Sequence, residues 1–198
     1  MKKEEYILKL FPEIEEIKDN EIKKGVIKAW LVTLDKTIYK KLEEVPQNIK
    51  VMPKGRSLVE HVRVVTVSAI EIAKIYKKTS GIKVNLDYLI AACLLHDLDK
   101  LLGYEIKEGK KERKAFYPHG VESAFITLEA GLPREIAHLV CVHTPSAIMK
   151  PQSPVKVEGL ILQYVDVLHA DVLRALYPAE PIMKLMVSHV PSSVFHQS

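Results

Sequence analysis

The sequence predicts an all-α protein, a single-domain helical bundle, and three observations support this. Apolar residues recur at intervals of three and four, as on one face of an α-helix. No stretch alternates apolar and polar residues over the length of a strand. The 198 residues, 47% hydrophobic and 27% charged, suffice for one well-buried core but not for two ordinary domains. We expect N-terminal helices in residues 1–50 packed on a core domain in residues 51–180, then a short C-terminal helix and tail in residues 181–198.

Two long helices are predicted in the N-terminal half. The first covers residues 20–44, begins at Asn20 as its N-cap, and carries apolar residues spaced by four positions. These residues are Ile22, Val26, Trp30, Leu34, Ile38 and Leu42. The second helix is predicted from residue 58 to residue 78, because Ser57 and Glu60 have the spacing of a capping box and Gly81 follows the last turn.

A third helix is predicted from Asn85, its N-cap, to about Leu102, with Gly103 just past its end. This helix is apolar nearly all round, so we expect it at the centre of the bundle. The stretch from Glu105 to Lys114 is charged and lacks periodicity, which predicts a mobile surface loop.

Proline and glycine punctuate the helices of the second half. Pro118 is expected in the first turn of a helix that Gly131 ends, and Pro133 begins another that reaches about His143. A last long helix is predicted over residues 155–176, and the short C-terminal helix follows it.

Composition excludes some classes of protein. The early lysines are followed by acids, unlike a signal peptide, and no apolar run approaches the roughly 18 to 20 residues that span a bilayer. We therefore expect a cytoplasmic protein with no membrane partner. The formal net charge of +4 is too modest and too scattered to favour nucleic acid as a partner.

Six side chains of metal-ligand type fall on these predicted helices, five inside them and His119 in a first turn. They are His61, His96, Asp97, His119, His143 and Asp166. Imidazole nitrogen and carboxylate oxygen suit borderline divalent metals. Asp97 lies in an otherwise apolar helix, where a buried carboxylate needs a metal or a complete hydrogen-bond network. Ligand residues on four successive helices favour the metal.

The order His61, His96-Asp97, Asp166 resembles the signature of the HD superfamily, and this resemblance covers residues of about 55 to 175. His119 and His143 resemble the additional ligands of the six-ligand subgroup, whose members bind two metals. Lys100 matches the lysine of the family's His-Asp-x-x-Lys pattern. Position 99 departs from the family, with Asp where many members have Gly. No Gly-Tyr-Pro motif is present, which disfavours the cyclic-di-guanylate phosphodiesterase branch.

The resemblance implies a metal-dependent hydrolase of phosphate esters. It implies that His61, His96, Asp97 and Asp166 hold one divalent ion, and that Asp97 bridges to a second held by His119 and His143. Iron, manganese, nickel, cobalt and zinc are the candidate metals, and magnesium stays open. Asp97 and Lys100 are the candidate catalytic residues. Lys100 would bind the phosphate; the alternative is a surface lysine or an ion-pair partner of Asp97 or Asp99.

Other expectations concern the surroundings of this centre. Lys110, Lys111 and Arg113 could bind the substrate, or could be a solvated surface run. Asp99 lies about 200° around a helix from Asp97, so it is expected behind the ligands or facing solvent. His169, one turn beyond Asp166, could contact a ligand.

The substrate is expected to be small and phosphorylated, with a nucleotide among the candidates, and a homo-oligomer is left open. Two rival functions also stay open. Some members of the superfamily use the same six ligands in a mixed-valence diiron oxygenase that acts on a small polyol or phosphonate. A non-catalytic nucleotide-sensing module is the other alternative.

Overall fold

The computed structural model describes residues 2–47, 56–108, 110–113, 118–144 and 156–176. In these residues the regular secondary structure consists of helices and one short hairpin. The all-α class predicted from the sequence is confirmed. The α-helices are α1 (Lys3–Leu10), α2 (Asn20–Lys36), α3 (Leu58–Ser80), α4 (Leu86–Leu95), α5 (Asp99–Leu102), α6 (Val121–Glu129), α7 (Arg134–Cys141) and α8 (Val157–Leu176). Short 3₁₀ helices cover Pro12–Glu16 and Leu42–Glu44.

Helix α4 is the centre of the bundle, as its apolar composition predicted. Every side chain from Leu89 to Leu95 is buried, and α2, α3, α7 and α8 all pack against this helix. Helices α1 and α2 close one side, where the Phe11 ring stacks on Trp30 with centroids 4.4 Å apart. The site residues of α4 and its continuation therefore lie on the most densely surrounded element of the chain.

Helix α3 begins and ends close to the predicted positions. The Ser57 hydroxyl accepts a hydrogen bond from the Glu60 N–H at 3.2 Å, which satisfies one of the free donors of the first turn. Gly81 follows the last residue with a φ of 66°, a left-handed conformation that glycine adopts without steric cost. Because α3 packs against both α4 and α8, it places His61 between them.

Helix α2 differs from its prediction at both ends. Its N-cap is Asp19, whose side chain accepts hydrogen bonds from Glu21 and Ile22, so Asn20 is the first helical residue. The helix ends at Lys36, because Thr37 is extended and its hydroxyl donates to the Leu101 carbonyl at 2.7 Å. The apolar spacing nevertheless continued, since Leu42 is also buried, but in a separate 3₁₀ turn.

The stretch predicted as a surface loop forms an antiparallel hairpin of β1 (Tyr104–Lys107) and β2 (Lys110–Arg113). Tyr104 pairs with Arg113 and Lys107 with Lys110. The prediction of a loop was wrong here, because two segments can pair through their backbones without an apolar alternation in the sequence. The short helix predicted in residues 181–198 lies outside the described residues.

Among the described helices, none combines the length and the apolarity that crossing a membrane would require.

Candidate metal centre

The helix that carries His96 and Asp97 is interrupted where these residues lie. The sequence predicted one helix to about Leu102, but α4 ends at Leu95 and α5 begins at Asp99. Between them the backbone forms i to i+3 hydrogen bonds, from Leu98 N–H to the Leu95 carbonyl and from Lys100 N–H to the Asp97 carbonyl. Such tighter turns within a helix often occur at functional positions.

Two more of the six residues lie outside the helices in which they were expected. His119 precedes Gly120, the N-cap of α6, and His143 lies two residues beyond the end of α7. The predicted placement of both was wrong, since a glycine with a φ of 88° delays α6 and α7 ends at Cys141. Only His61 and Asp166, of the six, occupy helix interiors.

Four of the predicted ligands converge on one point. The Nε2 atom of His61 lies 3.0 Å from Asp166 Oδ1 and 3.2 Å from Asp97 Oδ2. The Nε2 atom of His96 lies 3.2 Å from the same Asp97 oxygen and 3.3 Å from His61 Nε2. Helix α3, the turn after α4, and α8 therefore contribute two nitrogens and two oxygens to a single cluster.

Of the remaining two predicted ligands, His119 faces the other oxygen of Asp97, and His143 lies against His119. His119 Nε2 lies 3.3 Å from Asp97 Oδ1, and His143 Nε2 lies 3.2 Å from His119 Nε2. The Asp97 carboxylate thus has one oxygen toward His61 and His96 and the other toward His119. The structure brings all six predicted side chains together.

The outer nitrogens of three histidines make hydrogen bonds that orient the rings. His96 Nδ1 donates to the Cys93 carbonyl at 2.7 Å, and His143 Nδ1 donates to the Val140 carbonyl at 2.6 Å. His119 Nδ1 pairs with Asp99 Oδ2 at 2.7 Å. Because carbonyl and carboxylate oxygens only accept, Nδ1 carries the hydrogen in each ring, and the neutral form presents a lone pair at Nε2.

These lone pairs and carboxylates form a donor set that fits divalent cations. Asp97 Oδ1 is buried and makes no hydrogen bond with the described residues, so a bound cation would satisfy it. Mixed imidazole and carboxylate ligands suit iron, manganese, cobalt, nickel and zinc. Three groups of such residues could each hold an ion: His61, His96 and Asp166; His96, Asp97 and His143; and Asp97, Asp99 and His119.

Without a bound cation, protonated histidines balance the negative charges of Asp97 and Asp166. Burial opposes charge on His96, but the charge of Asp97 and hydrogen bonds to Asp166 and Asp97 outweigh it and raise the His96 pKa to about 10. Burial likewise opposes charge on His119, but its contacts with the carboxylates of Asp97 and Asp99 outweigh burial and raise the His119 pKa to about 9. Burial would raise the pKa of Asp97, but the charges of His96 and Lys100 hold it well below its usual value.

The pKa values of two other histidines, His143 and His169, are lowered. Burial, followed by the charge of His96, lowers the His143 pKa to about 4. Burial, followed by the charge of His61, lowers the His169 pKa to about 4. Both rings are therefore neutral near pH 7 and offer nitrogen lone pairs.

Asp99, the departure from the family pattern, lies behind the ligands. It is 5% exposed, and Oδ2 accepts both the His119 hydrogen bond and one from Gly120 N–H at 2.9 Å. Any side chain at Gly120 would lie within 3.2 Å of Val140, Cys141 and His143 atoms. Of the two alternatives drawn from the sequence, the position behind the ligands is the one observed. The sequence did not indicate its pairing with His119.

Lys100 forms an ion pair with the centre. Its Nζ lies 2.6 Å from Asp97 Oδ2, so the ion pair left as an alternative in the sequence analysis is present. A role in binding phosphate stays a prediction. The side chains of Lys110, Lys111 and Arg113 lie outside the part of the structure that is described.

Exposure to solvent is uneven across the described residues of the cluster. The side chains of His61, His96 and Asp97 are at most 1% exposed, whereas Asp166 is 17%, Lys100 26% and His119 40% exposed. A ligand would therefore approach past His119 and Lys100.

Comparison with known proteins agrees with this geometry. A model of the HD domain family matches residues 58–171, which include all six clustered residues. The chain is 30% identical over 162 residues to the dihydroneopterin 2′,3′-cyclic phosphate phosphodiesterase of Methanocaldococcus jannaschii. The match covers 77% of this chain and 64% of the relative, so the chain spans less than two thirds of that protein's length. No solved structure matches.

Proposed function

Because the chain belongs to the HD domain family, we propose that it is a metal-dependent hydrolase of phosphate esters with a centre of two divalent ions. The position of Asp97 carries this proposal. Its Oδ2 atom faces His61 and His96, and its Oδ1 atom faces His119. A carboxylate with one oxygen toward each imidazole group is suited to bridge two cations.

The residues divide into two sets around that carboxylate. His61, His96 and Asp166 would hold one ion together with Asp97, and His119 and His143 would hold the other. When bound, such ions lower the pKa of a coordinated water and polarise phosphoryl oxygens. The backbone carbonyls behind His96 and His143 keep the Nε2 atoms directed inward, and the buried wall excludes bulk water from that side.

Lys100 supplies a positive charge at the open side. Its Nζ contacts Asp97 Oδ2, and with the carboxylate on a cation this ammonium could turn to a phosphate oxygen. Lys100 would then orient the substrate and stabilise the negative charge that develops during cleavage.

For the substrate, we propose a small cyclic phosphate diester. The relative from Methanocaldococcus jannaschii is named for a 2′,3′-cyclic phosphate, and its similarity to this chain supports the same class of bond. Access past His119 and Lys100 suits a small anionic ligand.

The test uses the full chain, stripped of metal and reloaded separately with Mn²⁺, Fe²⁺, Co²⁺, Ni²⁺, Zn²⁺ or Mg²⁺. Each form is assayed with a 2′,3′-cyclic nucleotide and with bis-para-nitrophenyl phosphate. We expect hydrolysis that needs metal and is lost in His96→Ala and Asp97→Ala. Asp35→Ala, at an exposed acidic position on α2, is the matched control and should keep activity.

Activity unchanged in both site variants would overturn the proposal. Dioxygen consumption by the iron-loaded protein, without hydrolysis of either ester, would favour the mixed-valence diiron oxygenase instead. Nucleotide binding without turnover would favour the sensing module.

A further inference from the structure

Helix α8 contacts both ends of the His61 imidazole. Asp166 Oδ1 lies 3.0 Å from Nε2 of this ring, and His169 Nδ1 lies 2.8 Å from its Nδ1. Residues three apart on a helix lie on the same face, so α8 presents both side chains to α3 at once. His61 is thereby held between a carboxylate and a second imidazole.

The two rings have the orientation of a nitrogen-to-nitrogen hydrogen bond. Their centroids lie 5.0 Å apart and their planes differ by 14°. The distance between the centroids exceeds the Nδ1–Nδ1 distance by about the sum of the two ring radii, so both nitrogens lie close to the line between the centroids. Because the planes are also nearly parallel, the rings lie edge to edge in nearly one plane. This arrangement allows a linear N–H···N hydrogen bond, whereas face-to-face stacking would take the nitrogens off the line between the centroids.

His61 needs such a partner because of its place in the fold. His96 and His143 follow the ends of α4 and α7, where each donates to the carbonyl three residues earlier. Carbonyls at helix ends lack helical partners and are free to accept. His61 lies inside α3, where the carbonyls are used by the helix itself. A side-chain acceptor must take their place.

We propose that His169 is a positioning residue for the metal ligand His61. With a cation bound, His169 Nδ1 would accept a hydrogen bond from the His61 Nδ1–H, which leaves the lone pair of His61 Nε2 for a cation between this atom, Asp166 and Asp97. Outer partners of metal-bound histidines are usually carboxylates, carbonyls or water. Here an imidazole has that position. This inference rests on the metal-holding part of the proposed function and not on the reaction.

Three variants of the full chain separate the acceptor from the rest of the side chain. His169→Leu removes the acceptor and keeps an apolar group of similar size. His169→Asn keeps an acceptor, since Asn Oδ1 occupies the same side-chain position as His Nδ1. Leu168→Asn places the same amide on the adjacent exposed residue of α8 and serves as the matched control, because Leu168 is 61% exposed.

The affinity of each metal-free protein for Zn²⁺ and Co²⁺ is measured in competition with a chelating dye, and circular dichroism checks folding. We expect His169→Leu to weaken binding of one ion by about 10- to 100-fold. His169→Asn should stay within a few-fold of the wild type, and Leu168→Asn should not differ. In the ¹⁵N-labelled wild type, NMR should detect a coupling between the two Nδ1 atoms across the hydrogen bond.

Wild-type affinity in His169→Leu would overturn the proposal, as would an equal loss in His169→Asn and His169→Leu, or the absence of the coupling. If the affinities follow the expected pattern but no phosphate ester is cleaved, the proposed function fails and the role of His169 stands. If the wild type binds neither ion, both proposals fail.

Discussion

The Oδ1 atom of Asp97 lies 3.3 Å from Nε2 of His119, while Oδ2 of the same carboxylate faces His61 and His96. One side chain therefore joins two groups of potential ligands that come from different parts of the chain. Asp166 contacts the first group, through His61 and His96. The two aspartates should have different effects when their charge is removed.

We expect Asp97→Asn to weaken the binding of both ions and Asp166→Asn to weaken the binding of one. Both substitutions keep the shape of the side chain but remove the negative charge of the ligand. Equilibrium dialysis followed by metal analysis gives the stoichiometry. Asp166→Asn should retain about one ion per chain under conditions in which Asp97→Asn retains less. Full retention of one ion at wild-type affinity by Asp97→Asn would contradict the bridging position.

Asp99→Asn tests the carboxylate behind His119. The amide oxygen can still accept from His119 Nδ1, but the negative charge that strengthens this hydrogen bond is lost. We expect about 10-fold weaker binding of one ion in a metal titration. Asp35→Asn, at an exposed position on α2, should leave both affinities unchanged. Equal metal affinities of the wild type and Asp99→Asn would show that the Asp99 charge does not support metal binding by His119.

Gly120→Ala and Gly131→Ala form a matched pair, because their φ angles are 88° and 89°. Each should lower the free energy of unfolding by about 1–2 kcal/mol from the left-handed backbone conformation. A Cβ at Gly120 would also lie 3.2 Å from His143 Cε1, while a Cβ at Gly131 meets nothing within 4 Å. Chemical denaturation should give losses in both, and a metal titration should show weaker binding only in Gly120→Ala. Weaker binding in both variants would attribute the effect to backbone strain alone.

The stability of the metal-free protein should be greatest near a pH of about 6.5. The pKa values of His96 and His119 rise on folding from 6.5 to about 10 and about 9. Their contribution is complete below pH 6.5 and is lost as the pH rises through those folded values. The pKa of His143 falls to about 4, so its contribution is lost as the pH falls below 6.5.

The measurement for this prediction is the thermal unfolding midpoint of chelator-treated protein across the pH range. With Zn²⁺ present, the decline at high pH should be reduced or reversed, because metal binding displaces protons from the histidines. A midpoint that rises steadily above pH 6.5 without metal would show that the histidines do not balance the carboxylates in the manner described.

Lys100→Ala should lower kcat/KM for a phosphate ester by roughly 100-fold, because it removes a cation positioned for the phosphate. Metal affinity should be unchanged or higher, since Lys100 competes for Asp97 Oδ2. Steady-state kinetics and metal titration on the same variant separate these effects. Lys24→Ala, an exposed lysine on α2, is the control. Weaker metal binding with unchanged kinetics on the fully loaded enzyme would indicate a structural role.

The sequence was sufficient for the helical class and for the six clustered side chains, because residue type and order carry that information. The sequence-based prediction was wrong about the helix boundaries around four of these side chains. A continuous apolar pattern hid the break at His96, since buried helices and buried turns have the same composition. The delay of α6 to Val121 depends on the left-handed Gly120 and its hydrogen bond to Asp99, which pairs residues 21 positions apart. Such tertiary contacts leave no periodic signal.

The uneven exposure of the cluster has a kinetic consequence. His119 is 40% exposed, whereas His61 and His96 are fully buried. Although His143 is itself buried, an ion that it shares with His119 would be within reach of a chelator on the His119 side, whereas an ion held by His61 and His96 would first need the wall of the bundle to open. Demetallation should therefore proceed in two phases, with the outer ion leaving rapidly and the inner one at the rate of local unfolding.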